Sequence, residues 1–120
     1  MNYIELEIGG EKRGFRLGLG FLGGLLEDMD IGMTELSNKL SKNPFKTIPL
    51  MMYHSAICDL ERKGEPVDFT KFDIIDWIEE LEGGFENKVV VDFLNAFTKS
   101  MTKDIPKEEK SDKKKVRKTA

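Results

Sequence analysis

Three sets of residues in this chain have types and spacings that could do chemistry. Gly18, Gly20 and Gly23 satisfy G-x-G-x-x-G, the pattern in which glycines let a backbone approach a dinucleotide pyrophosphate at the start of a helix. His54 and Cys58 stand four residues apart, so on a helix an imidazole base would lie one turn from a thiol nucleophile. Asp73, Asp76, Glu79, Glu80 and Glu82 crowd one short segment. Carboxylates three and four residues apart can hold a divalent cation or run acid–base chemistry.

Each set depends on the elements that position it. A dinucleotide fold needs a second parallel strand after the glycine helix, carrying an acidic residue near its end. Here Thr34 to Lys42 reads as helix, and Leu19, Phe21 and Leu22 are core-type residues. His54 is the only histidine and has no acidic residue one turn away on its own helix, which describes a surface or half-buried helix histidine. Cys58 has the neighbours of a core residue. The acidic residues alternate with Trp77, Ile78 and Leu81, which makes them the polar face of an amphipathic helix. The expectation is a chain with no catalytic, cofactor-binding or metal-ligating constellation, and therefore no enzyme.

The elements follow from periodicity. Tyr3 to Ile8 alternates, with Ile4, Leu6 and Ile8 on one face, as in a strand with one buried side. Gly9-Gly10-Glu11 reads as a turn, and Lys12 to Leu17 returns with Phe15 and Leu17 inward. An isolated hairpin is marginally stable, so this one must lie on something. Phe21, Leu22, Leu25, Leu26 and Met29 form the stripe of a short helix over Gly20 to Met29, with Gly23-Gly24 permitting close approach of another backbone and Gly32 as the stop. Thr34 reads as the cap of a second helix, with Met33 as a staple and Leu36 and Leu40 facing inward. A third helix opens at Thr47-Ile48-Pro49, carries the row Ile48, Met52, Ala56, Leu60, and stops at Gly64. Thr70 and Asp73 cap a fourth, with Phe72, Ile75 and Ile78 widened by Ile74, Trp77 and Leu81. Phe85 to Met101 repeats every four residues as a fifth.

The fold class is therefore mainly α with a small N-terminal β-hairpin (α+β), a compact bundle of four to five helices. Residues 1–103 form one domain, and residues 104–120 a disordered charged tail unable to bury enough apolar surface to fold. No stretch approaches the roughly 20 apolar residues of a membrane span. Met1 to Glu5 lacks the basic and apolar regions of a signal peptide, and the lone cysteine forms no internal disulfide. A reducing cytoplasm is the natural assignment, with no membrane partner. Charge is divided: residues 104–120 carry seven Lys/Arg and four Asp/Glu, whereas residues 1–103 carry twelve and eighteen. An acidic body argues against a folded nucleic-acid surface, leaving only the tail to touch phosphates.

The Glu7-Ile8-Gly9-Gly10-Glu11-Lys12 hairpin and the run Phe15-Arg16-Leu17-Gly18-Leu19-Gly20-Phe21-Leu22, followed by amphipathic helices and a charged C-terminus, resemble the tail assembly chaperones of long-tailed phages and prophages. The likeness covers most of residues 2–100 in layout and about residues 5–26 at residue level. It implies a protein of the bacterial host cytoplasm, absent from the mature virion, that coats the helical tape measure protein, keeps it soluble and helps recruit tail tube subunits. Many members of that family also occur in a longer, frameshifted form, and Lys113-Lys114-Lys115 suits an A-rich slippery site. Such a chaperone needs an open apolar face for a helix-in-groove contact. Phe21, Leu25, Phe72, Trp77, Phe85, Phe93 and Phe97 are the residues expected to supply it, with core packing the alternative for each. The methionines could add an adaptable surface, and self-association is compatible with the same face. A different reading is a small helical interaction or regulatory adaptor whose basic tail contacts nucleic acid.

Overall fold

The computed structural model describes residues 2–104. Of the expected tail over 104–120, Asp104 ends the last helix, and 105–120, with the lysine run, lies outside the described residues. Strands β1 (Tyr3–Ile8) and β2 (Glu11–Arg16) pair antiparallel in a register running from Tyr3 opposite Arg16 to Ile8 opposite Glu11. Gly9 and Gly10 turn the chain with φ of 66° and 84°, the doubly positive pair that matches strand twist in a two-residue hairpin. Leu6, Ile8 and Phe15 are buried, with Leu17 just beyond β2.

Helix α1 (Leu19–Met29) buries Phe21 and Leu25. It ends at Asp30, whose φ is 57°, and not at Gly32. The Asp30 and Ile31 amides donate to the Glu27 and Leu26 carbonyls, closing the last turn on a residue type that tolerates the left-handed region. Gly32 then becomes the cap of α2 (Met33–Lys42) in place of Thr34. The Glu35 carboxylate accepts from the Gly32 amide at 3.0 Å. Glycine has no side-chain oxygen to reciprocate, so only that half of a capping box is present. Met33 is the first helical residue and is exposed, where a staple was expected; Leu36 is buried.

Helix α3 (Pro44–Lys63) starts one turn earlier than its periodicity predicts, because Pro44 takes the first helical position, where a missing amide hydrogen costs nothing. Pro49 therefore falls inside the helix and deprives the Phe45 carbonyl of its usual partner. The expected row of Ile48, Met52 and Ala56 is buried, and so is a second row of Met51, Ser55 and Asp59. Two buried rows make α3 the central element: it packs against β2, α1, α2 and α4. Gly64, with φ of 73°, closes it.

Helix α4 (Lys71–Glu80) is capped as the sequence predicts. The Asp73 carboxylate accepts from the Thr70 amide at 2.8 Å, and the Thr70 hydroxyl accepts from the Asp73 amide at 3.4 Å. Its core face is Ile74 and Ile78, whereas Phe72 and Ile75 stand outside. A 3-10 turn (Gly84–Glu86) carries Phe85 separately from the last helix, α5 (Lys88–Asp104). Asn87, a favoured capping type, accepts from the Val89 amide through its side-chain oxygen at 2.9 Å. Helix α5 lies along β1. Phe93 meets Phe15 edge-on, and Phe97 meets Phe21 in the same way. The Ser100 hydroxyl donates to the Leu17 carbonyl at 2.9 Å, tying α5 to the end of the hairpin. Among the described residues, no helix is long and apolar enough to cross a membrane.

Candidate partner-binding groove

The three chemical candidates lie on or beside α1, α3 and α4. Gly20 and Gly24 form a small-residue face of α1: a Cβ at Gly20 would lie 3.1 Å from Cys58 Sγ, and one at Gly24 would lie 3.4 Å from His54 Nδ1. They admit α3 side chains, where Gly23-Gly24 was expected to admit a backbone. Gly23 itself faces open space. His54 Nε2 lies 2.8 Å from Asp28 Oδ2. The acidic partner that His54 lacks on its own helix comes from α1, a tertiary pairing that helix periodicity could not reveal. A cleft of about 490 Å³ runs past Asp28, His54 and Cys58. Burial pushes the Cys58 thiol pKa up, against the pull of Arg16 and Arg62, so the thiolate a nucleophile needs is disfavoured. The acidic segment of α4 divides: Asp73 serves the cap, while Asp76, Glu79, Glu80 and Glu82 are exposed. Among the described residues, no three His, Cys, Asp or Glu side chains gather at a common point.

A buried charge cluster escaped the sequence reading. Asp59 is 1% exposed; its carboxylate lies 2.9 Å from Lys63 Nζ and 3.6 Å from the Arg16 guanidinium. Gly14 on β2 leaves the space this carboxylate and the Tyr3 hydroxyl occupy. The hydrogen bond to Asp59 holds the Lys63 pKa up. Burial, followed by the Asp59 charge, does the same for Tyr3. The cluster ties the hairpin to α3.

Four of the residues expected to meet a partner sit inside, Trp77 and Phe85 are half-buried, and Phe72 stands open. Phe21, Leu25 and Phe93 are fully buried and Phe97 is 8% exposed, so as folded they are core. Trp77 is half-buried, with the Arg13 guanidinium 4.1 Å from its ring centroid and Phe69 tilted against it at 5.4 Å. The open apolar surface is elsewhere. Phe45 is 69% exposed, Phe72 66% and Ile75 37%. With Pro49 and Leu50 they line a groove of about 470 Å³ between the first turns of α3 and α4.

Local rules place these rings. Pro44 and Thr70 set the helix starts, so Phe45 and Phe72 each occupy the second helical position. Phe72 is two residues out of phase with the buried Ile74–Ile78 stripe, which turns it to the opposite side of α4. That offset is the signal in the sequence that identifies the exposed ring. Phe45 is held in place by Phe85, with ring centroids 5.0 Å apart. No protein-family model matches this chain, and no curated protein or solved structure matches it.

Proposed function

We propose that this chain is a non-catalytic binding protein of the tail assembly chaperone kind, which holds a tape measure protein in the bacterial cytoplasm and presents it for tail tube assembly. One observation carries the reading: two phenylalanines and an isoleucine stand open in a groove between two helix starts. Isolated exposed apolar residues need no explanation, but a grouped set of large ones marks an interaction surface. The exposed apolar side chains along the groove suit a helix laid across it with anchors at i, i+3/i+4 and i+7. Phe45 is braced by Phe85, so a partner meets a preformed contact and loses less conformational freedom on docking. The raised pKa of the half-buried Cys58 thiol and the pairing of Asp59 with Lys63 and Arg16 support a reading without catalysis.

Reading the DNA around the gene tests this proposal. A tail-gene neighbourhood with a long coiled-coil gene beside this one supports it. An isolated gene ends it. A slippery A-rich heptamer at the codons for Lys113-Lys114-Lys115, overlapping a second frame, would add the longer product; its absence removes only that product.

A further inference from the structure

We infer that the groove takes an acid-flanked amphipathic helix: an apolar stripe lies on Phe45, Phe72 and Ile75, and Asp/Glu side chains project from its flank towards α2. The argument begins with a second depression of about 580 Å³ alongside the groove, which shares Asn43, Lys46, Leu50 and Lys71 with it. Lys39, Lys42, Lys46 and Lys71 line this depression and are all exposed. Among the described residues, none of the four takes part in an ion pair. The two acidic residues at its border are otherwise engaged, Asp28 with His54 and Glu35 with the Gly32 amide.

The local charge runs against that of the body. Residues 1–103 carry eighteen acidic and twelve basic residues, yet four lysines converge beside the apolar groove of Phe45, Phe72 and Ile75. A basic rim along one side of an apolar trough selects a ligand with acidic residues on the matching side and repels a basic one. The chain's own segment 105–120 has a basic excess, so it is a poor occupant.

The inference rests on the reading of this protein as a helix-binding module, and its test separates the two. Three helical peptides of about 18 residues share one leucine stripe and differ only in flank, which is Glu, Gln or Lys. Binding is read by fluorescence anisotropy of labelled peptide with the full chain. The Glu peptide is expected to bind about tenfold tighter than the Gln peptide at low salt, with the advantage shrinking as salt screens it. The Lys peptide is expected to bind weakest. A triple reversal, Lys39→Glu with Lys42→Glu and Lys46→Glu, should invert the order, and Phe72→Ser should abolish binding of all three.

Equal affinities, no binding of any peptide, or binding indifferent to Phe72→Ser would overturn the inference. So would concentration-dependent dimerisation that Phe72→Ser abolishes, since the occupant would then be a second copy. A chain that prefers the acidic helix but comes from a genome without tail genes beside it keeps this inference and loses the chaperone reading. Tail genes beside a groove blind to charge give the converse.

Discussion

The Arg13 guanidinium lies 4.1 Å from the centroid of the Trp77 ring, and this contact clamps the hairpin onto α4. The Arg13 Nε also donates to the Ile8 carbonyl at 3.0 Å, so the cation is fixed from behind. On the other side, a Cβ at Gly9 would come within 2.5 Å of the indole. The only tryptophan is thus a hinge-pin between turn and helix, and the exposed rings beside the α3–α4 groove are Phe45 and Phe72.

Gly9→Ala and Gly10→Ala should separate these effects. Both glycines have positive φ, but Gly10 faces open space whereas Gly9 faces Trp77. Gly10→Ala should cost about 1 kcal/mol from backbone strain alone. Gly9→Ala should cost about 3 kcal/mol, because overpacking against the indole adds to that strain. Urea denaturation followed by tryptophan fluorescence measures both, and equal losses would remove the clamp from the account.

Asp59 and Gly14 should be coupled. Asp59→Ala strips a buried carboxylate from Lys63 and Arg16. Because both cations can turn to solvent, the loss should be about 2 kcal/mol, below the usual cost of breaking a fully buried pair. Gly14→Ala drives a methyl into that carboxylate and the Tyr3 hydroxyl. It should destabilise the wild type by about 1–3 kcal/mol and the Asp59→Ala background by less. Additive losses in a double-mutant cycle would contradict the proximity.

Alkaline stability should fall late. Tyr3 and Lys63 have folded pKa values above their ordinary 10.0 and 10.5, so the folded state holds these protons more tightly than the unfolded chain. Their contribution is complete below the ordinary values and is lost as pH rises through the higher folded ones. The denaturation midpoint should therefore show no loss from these groups between about pH 7 and 9 and fall above about 10. Lys63→Met should make that fall shallower. Tyrosinate absorbance, compared with a Tyr3→Phe variant, should place the Tyr3 transition above 10.0.

Much of the fold is legible in the sequence, and the groove is not. The alternation of Ile4, Leu6 and Ile8, the Gly9-Gly10 turn and the Thr70–Asp73 cap are local signals, and each forms as its residues dictate. Helix starts were less legible: Pro44 takes the first position of α3, and Pro49, itself tolerable near a helix start, is left inside. Four residues expected at a partner surface, Phe21, Leu25, Phe93 and Phe97, are buried for a related reason. Phe21, Phe93 and Phe97 fall on stripes that any packed helix shows, and stripes mark the core. An exposed ring is one out of phase with its stripe, as Phe72 is against Ile74 and Ile78. The pairing of His54 with Asp28 spans 26 residues and is visible only when α1 and α3 are packed together.

Cys58 should react slowly. Burial raises its pKa and it is only part-exposed against Gly20. At pH 8 the folded chain should react with an aromatic disulfide about tenfold more slowly than the urea-unfolded chain. Equal rates would place the thiol in an open, activating environment and revive the His54–Cys58 chemistry.

The most direct test of the central claim is co-elution of a tape measure protein, encoded beside this gene and co-expressed with it, with wild-type protein or with the Phe45→Ser/Phe72→Ser double variant. Both replaced side chains are about two-thirds exposed, so the variant should melt close to the wild type, with a change within about 1 kcal/mol. The account predicts a soluble complex on size-exclusion chromatography with the wild type and an aggregated tape measure protein with the variant. Co-elution undiminished by the double substitution, in a variant that melts normally, would contradict it.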